Sequence, residues 1–369
     1  MGPRSGGLIR SDAGSLRPRG VVNRPPTDYN GLTRTGSAPA RAQNQTPRHL
    51  LMDSEAPHDC VLLLAYGGPE KMEEVRPFLD NILRGLPVPP ERYEAVVHHY
   101  ELIGGKSPLN ELTDRQARGL RDLLRRDGPA LPVYVGMRFA RPFLYTAVRE
   151  MIRDGRRRAV AIVMAPYRSD PSFEKYQETL GEILDAAGPG IAPAADFVEP
   201  WFDHPLFAEA QADQVRTILE AIPRERRDAA PLIFTAHSIP IALAERCPYV
   251  SQIEVACANV AAALGGRPWQ LAWQSRSGSP RTPWLEPDVN AVLPGLKAQG
   301  ATDVVLCPIG FISDHVEVLY DLDLEAAQTC RALGLNMVRS SSVNDHPAFL
   351  RALADLVRAK LGRVAASVP

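Results

Sequence analysis

The chain has 369 residues, 45% hydrophobic and 23% charged, a globular composition with enough length for two lobes that each bury a core. The net charge of −1 hides an uneven split: residues 1–51 hold eight Arg against two Asp, which leaves an excess of about seven negative charges on the remainder. An acidic body argues against a nucleic-acid partner, and no apolar run approaches the ~18 residues of a membrane-spanning helix.

Residues 1–57 are expected to form a disordered basic tail. They are rich in Arg, Pro, Gly, Ser and Thr, bury too little to fold alone, and lack the apolar stretch of a secretory signal. Met52 reads as an alternative start, which makes the tail dispensable. The five cysteines (60, 247, 257, 307 and 330) form no CxxC pair, so neither a disulfide framework nor a zinc ribbon is expected, and the compartment reads as the reducing cytoplasm.

From residue 60 on, short apolar runs alternate with longer amphipathic ones. Strands are predicted at 61–67, 132–139, 159–167, 194–200, 231–237, 269–275, 303–311 and 336–341. Their Val, Ile and Leu show no polar alternation, as expected where both sheet faces are covered. Helices are predicted at 72–83, 89–103, 111–127, 142–154, 172–187, 204–222, 250–264, 289–299, 315–333 and 346–362. Repeated βα units imply an α/β fold of two four-stranded parallel sheets flanked by helices. The expected lobes are 58–229 and 230–345, with the last helix (346–363) packing back on the first. No GxGxxG or Walker loop is present.

In such sheets a ligand lies beyond the carboxyl ends of the strands. Three strand ends carry suggestive residues: Tyr66 before Gly67 and Gly68, His237 in "TAHSIP", and "PIGFISDH" leading into an acidic helix. Glu317, Asp321 and Glu325 recur every four residues, a spacing that drifts by only about 80° on an α-helix and less if the helix widens to a π form. Such a stripe is either a solvated face or a path for a hard cation, and its start at a strand end favours the cation. His and carboxylates without thiolates bind a divalent metal loosely enough to deliver it, and imidazole also accepts protons near neutrality. Trp273 and Trp284, with Tyr66, Tyr100 and Tyr176, are either core packing or a platform for a flat ligand. Aromatics, His and a cation path together point to a tetrapyrrole.

"LLLAYGGPE", "YELIGGKSPLNE", "FTAHSIP", "LAWQSRSGSPRTPWLEPDV" and "CPIGFISDHVEVLYDLDLE" stand in an order that resembles the ferrochelatase family over residues 60–362. The resemblance implies two Rossmann-like lobes and insertion of Fe²⁺, as substrate, into a porphyrin. It casts His237 as the cleft histidine that binds metal or takes pyrrole protons. Glu317 faces it, and Asp321 and Glu325 continue the metal path. Tyr66 matches the tyrosine that ligates product iron in the coproporphyrin-type branch. Tyr66, Tyr100, Ser107, Tyr176 and Trp273 match the porphyrin contacts, and Arg84 replaces an anchoring Arg whose usual position is Leu83 here. Some relatives hold a [2Fe–2S] cluster, but Phe173 takes the place of one ligand and Cys330 is the only late cysteine. No cluster or other resident cofactor is therefore expected.

The segment "EKMEEVRPFLDNILRG" offers charge rather than an apolar lip, which favours coproporphyrin III over protoporphyrin IX as substrate. A non-catalytic haem carrier would need the cleft without the His237–Glu317 pair. A monomer that passes its product to a downstream haem-pathway enzyme is the expected working form.

Overall fold

The computed structural model describes residues 57–277 and 281–365, so the expected tail lies outside the described residues except for Pro57. The first lobe runs β1 (Cys60–Ala65), α1 (Met72–Ile82), α2 (Pro90–Leu102), α3 (Leu109–Asp127), β2 (Val133–Met137), α4 (Leu144–Arg153) and β3 (Arg158–Val163). A π-helical turn (Asp170–Glu174) then opens α5 (Lys175–Ala187), followed by β4 (Ala194–Phe197), α6 (Pro205–Leu219) and the short α7 (Arg224–Arg227). The second lobe continues with β5 (Leu232–His237), the short α8 (Ile241–Ala244), α9 (Tyr249–Ala263), β6 (Trp269–Gln274), α10 (Val289–Ala298) and β7 (Asp303–Cys307). Next come α11 (Val316–Tyr320), a second π turn (Asp321–Ala326), α12 (Ala327–Leu333), β8 (Asn336–Arg339) and α13 (Pro347–Ala365).

Both sheets are wholly parallel and share one order, β2-β1-β3-β4 and β6-β5-β7-β8. β1, β3 and β7 are buried along their whole length, which is why their sequences run apolar without alternation. The chain leaves the second strand of each order toward one side and returns on the other. This creates a switch point between β1 and β3 and another between β5 and β7, where adjacent crossovers part and leave a crevice.

Helices cover both faces of each sheet. Val61, Leu63, Leu120 and Phe207 meet Phe349, Leu353 and Val357 of α13, so the last helix packs on the first sheet. α6 has two apolar faces: Phe207 and Ala210 pack toward the first sheet, while Ala208, Ala212 and Val215 join the core of the second. Gln116 on α3 donates to Ser313 (2.9 Å) and to the Asn344 carbonyl (2.8 Å), and the Tyr167 hydroxyl donates to the Ile309 carbonyl (2.8 Å). α1 and α2 stand apart as a hairpin with its own small core of Val75, Phe78, Leu79, Val97 and Tyr100.

The amino ends of three strands are tied together at the edge away from the crevices. Asp196 on β4 accepts from Arg158 of β3 (2.6 Å) and contacts His58, just before β1, at 2.9 Å. His58 and Arg158 hold its carboxyl well below the usual carboxylate range, against the opposing effect of burial. A depressed carboxylate contributes stability above its unfolded pKa and loses it as pH falls through the folded value. Asp196→Asn is therefore expected to cost about 2 kcal/mol at pH 7, read by urea denaturation. The difference should shrink steadily below about pH 4, with turnover unaffected at neutral pH.

Candidate active site

Each lobe carries, at the carboxyl end of a strand, a glycine that no other residue could replace without movement: Gly67 between the ends of β1 and β2, and Gly310 at the β5–β7 switch point. Gly67 has φ +87°, and a Cβ there would stand 2.6 Å from the Cβ of Ala140. The turn it permits lets Phe139 donate to the Tyr66 carbonyl (3.0 Å) and Arg138 to that of Ala65 (3.0 Å). Tyr66 is 41% exposed, its ring tilted on Phe139 at 4.7 Å and edge-on to Phe78 at 6.4 Å. In the second lobe the Gly310 amide donates to the Thr235 carbonyl (3.0 Å), and a Cβ on Gly310 would lie 2.7 Å from the Cα of Ala236. The loop after β7 is thereby pressed across the end of β5, which brings α11 beside His237.

That crossing places one carboxylate between two imidazoles. Glu317 Oε1 lies 3.6 Å from His237 Nε2, and its Oε2 lies 3.4 Å from His315 Nε2. Each ring directs Nδ1 at a backbone carbonyl, His237 at Ser238 and His315 at Ser313 (3.1 Å). A carbonyl only accepts, so Nδ1 carries a proton in both rings; an ionised carboxylate also only accepts, so a ring faces Glu317 favourably through Nε2 when that nitrogen carries a proton too, as an imidazolium. Burial raises the Glu317 carboxyl, but His237, His315 and Arg92 outweigh it and bring it down to about 2. Burial opposes protonation of His315, yet Glu317 raises its pKa above the ordinary value. The trio is thus an anion set to stabilise a proton on either ring.

Across the crevice, burial first and Glu317 second push the phenols of Tyr66 and Tyr100 well above their ordinary range, and Arg138 opposes this at Tyr66. The residues of the two lobes therefore feel one another's charge. His315 carries no role in the motifs of the sequence. Its signal was present in "SDHVE", where a His lies two residues before the carboxylate at a strand end.

The acidic segment divides by partner. Arg339 binds Asp314 (2.9 Å) and Asp323 (2.5 Å), so those two carboxylates brace the loop. Glu317, Asp321 and Glu325 form the other set. On α11 a four-residue step advances by about 40°, whereas the π turn at 321–326 holds more residues per turn and makes the next step lag. The π turn thus returns Glu325 toward the face of Glu317.

Asp321 is 9% exposed and accepts from the Ser275 hydroxyl and, at 3.5 Å, from Gln274, whose amide also reaches the Glu317 carbonyl (2.9 Å). Ser275 adopts φ +63° to make this contact. Burial, helped by Glu317 and Glu325, pushes Asp321 up to about 7 against those hydrogen bonds. Burial and Asp288 also raise Glu325. Among the described residues no three His, Cys, Asp or Glu side chains converge to hold a metal ion.

The other expected contacts are distributed unevenly. Tyr100, Tyr176 and Trp273 are 4%, 5% and 4% exposed. Tyr100 belongs to the α1–α2 core, Tyr176 lies under the Arg138 guanidinium (5.1 Å), and Trp273 packs on Tyr249 (6.2 Å) on the α9 side of its sheet. Ser107 is buried beneath Gly68, whose Cβ would lie 2.7 Å from that of Ser107. Arg84 is exposed just beyond α1. The segment expected to offer charge rather than an apolar lip splits into two faces. Met72, Val75, Phe78, Leu79, Ile82 and Leu83 turn inward, while Glu73 and Arg76 lie at the surface.

A carboxyl whose folded pKa is raised contributes stability only below its unfolded pKa and loses it as pH rises through the folded value. Asp321→Asn removes that loss. Its thermal stability relative to the unaltered chain should grow from about pH 4 to about pH 7, by up to about 4 kcal/mol, and then level off. A difference that stays flat with pH would refute the protonated state of Asp321.

The comparisons with known proteins agree with one another. The ferrochelatase family model matches residues 58–361. The coproporphyrin III ferrochelatase of Mycolicibacterium smegmatis is 42% identical over 302 residues, 81% of this chain and 88% of the relative. That of Streptomyces coelicolor is 42% identical over 328 residues (83% and 86%), and a ferrochelatase of Rhodopirellula baltica is 40% identical over 318 (85% and 89%). SirB from Bacillus subtilis, solved with Fe³⁺, shares the fold at a TM-score of 0.53 and 12% identity, covering 84% of this chain and 98% of its own. The motifs, the paired parallel sheets and these matches agree: the chain belongs to the ferrochelatase family.

Proposed function

We propose that this chain inserts Fe²⁺ into coproporphyrin III, releasing two protons and giving Fe-coproporphyrin III. The observation that carries the reading is the Glu317 carboxylate held between the Nε2 atoms of His237 and His315 and facing Tyr66 across the crevice. The relatives named above support the choice of porphyrin, since two of them bear that substrate in their names.

Metal insertion replaces two pyrrole N–H protons with one dication. A planar macrocycle hides its nitrogen lone pairs, so the crevice must bend the ring, with binding of its edges offsetting the strain. The Nε2 lone pair of His237 takes the first proton, and the Glu317 carboxylate stabilises the imidazolium that forms. Nε2 of His315, aimed at the other oxygen of the same carboxylate, takes the second proton. Asp321 and Glu325 carry Fe²⁺ inward as oxygen ligands, and Asp321, poised near neutrality, exchanges its own proton as the metal passes.

Tyr66 meets the opposite ring face. Its raised phenol stays neutral until iron arrives and loses its proton only on ligation. Ser107, Tyr100, Tyr176, Trp273 and Arg84 shape or anchor the porphyrin in this reading, the buried aromatics by fixing the walls. Phe173 in the core of the first lobe and Cys330 in that of the second leave the proposal without an iron–sulfur cluster. Among the described residues no helix is long and apolar enough to cross a membrane. The proposed working form is a monomer in the cytoplasm that hands its product to the next enzyme of haem synthesis.

Anaerobic absorbance assays with Fe²⁺ test the substrate. Two additional carboxylates, each worth roughly 1.5–3 kcal/mol when bound by charged donors and half screened, predict more than about tenfold higher kcat/KM for coproporphyrin III than for protoporphyrin IX. Equal turnover of the two would sink the branch assignment. His237→Ala should lose about 10²-fold or more in insertion rate while still quenching porphyrin fluorescence on binding; retention of a tenth of the rate would remove the proton-acceptor role. Tyr66→Phe should shift the absorbance of bound Fe-coproporphyrin III without abolishing binding of the metal-free porphyrin.

A further inference from the structure

Arg92, which neither the motifs nor the sequence reading singled out, occupies a position that its own helix does not favour. It lies in the first turn of α2, at the positive end of the helix dipole, where an anionic side chain would be the stabilising choice. The neighbouring Arg76 is satisfied by a bidentate pair with Glu94, both bonds at 2.7 Å. Arg92 is half-buried, and its side-chain hydrogen bond is a long one, Nη2 to the Arg276 carbonyl at 3.5 Å. Among the described residues no carboxylate lies within 4 Å of its guanidinium.

Its direction is fixed by helix geometry. Arg92, Val96 and His99 stand at i, i+4 and i+7 and so share one face of α2. That face meets the second lobe. His99 stacks on Tyr320 at the end of α11, with centroids 3.5 Å apart and planes within 12°, and Val96 shares a small core with Val316. Two turns further along, Arg92 reaches the chain that follows β6, where Arg276 accepts its long bond. The guanidinium therefore sits at the mouth of the crevice, opposite the acidic set. Its charge lowers Glu317 and opposes the rise at Glu325 and Tyr320 without closing on any of them.

We propose that Arg92 is an anchor for a carboxylate of the porphyrin, gripping a propionate through the planar fork of its guanidinium. This rests on the ferrochelatase reading above and adds a specificity residue to it. A fork with one long bond keeps a pair of parallel donors for a carboxylate, the geometry that arginine serves and lysine does not. The Glu317–Glu325 face repels a substrate carboxylate, so a cation on the opposite lip orients the propionate edge outward and the reacting nitrogens inward. Among the described residues no ion pair ties the guanidinium to Glu317, Asp321 or Glu325, which leaves their carboxylates available to Fe²⁺.

Arg92→Leu and Arg92→Lys in the full chain test this, with metal-free coproporphyrin III and protoporphyrin IX titrated by fluorescence and both substrates varied in the insertion assay. Arg92→Leu should weaken coproporphyrin III binding about tenfold or more, with the kinetic loss in KM for the porphyrin and not in KM for Fe²⁺. Arg92→Lys should recover only part of it and make binding more salt-sensitive. An equal loss with both porphyrins assigns Arg92 to a propionate they share, and a loss confined to coproporphyrin III assigns it to one of the two additional ones. Porphyrin affinities within about twofold of the unaltered chain, or a change confined to KM for Fe²⁺, would overturn the inference. If the unaltered chain itself neither bound nor metallated a porphyrin, the ferrochelatase reading would fall first and the two failures would be told apart. Arg92→Lys keeps charge and bulk, so it decides the matter even if Arg92→Leu fails to fold.

Discussion

The contact between Gly310 and the end of β5 governs everything on the second side of the crevice. An amide donated to Thr235 and a missing Cβ beside Ala236 set the height at which the post-β7 loop crosses the strand. Glu317 comes to rest between its two imidazoles only because of that height. Any side chain at 310 lifts the loop, and a lift of about 1 Å at the 3.6 Å separation from His237 weakens the attraction that holds Glu317 ionised. Gly67 plays the corresponding part under Tyr66, against the chain that leaves β2, so each sheet has a residue without a side chain at the strand end that carries its site.

What faces what is then settled by the shared interior. α6 contributes one apolar face to each lobe, and α13 packs on the first sheet beside Ile312 and Val343 from the second. The walls are therefore a single packed body, and their dipoles and charges stand in position before any substrate enters. The α1–α2 hairpin is different, since its small core touches the second lobe through Val316 and the His99–Tyr320 stack. Fewer buried contacts hold it, which puts it at the less stable end of the molecule.

Much of this was legible in the sequence for a physical reason. Strands covered on both faces must be apolar throughout, so β1, β3 and β7 announced themselves most plainly, and the ends of β1, β5 and β7 located the crevice. The four-residue spacing of Glu317, Asp321 and Glu325 held the hint of a π turn, which the structure places at 321–326. What stayed hidden depends on how side chains turn and pair. Trp273 alternates with Gln274, so one faces α9 and the other Asp321, and an aromatic count does not distinguish them. Asp314 and Asp323 stand in the same acidic stretch, and nothing in their spacing shows that Arg339, from the next strand, binds both. Arg76 and Arg92 read alike in a charged stretch; only the fold reveals that one is paired and the other is not.

The locked tautomers of His237 and His315 have a consequence for traffic. A ring whose Nδ1–H is committed to a carbonyl is a dead end rather than a relay, because a proton received at Nε2 has to depart from Nε2. On the proposed reaction both pyrrole protons must then retreat past Glu317, along the carboxylates by which the dication arrived. One corridor serves two opposed currents, two single charges outward for one double charge inward. Summed over a full turnover, once the product has left and Tyr66 and Asp321 have regained their protons, the charge carried outward equals the charge carried inward.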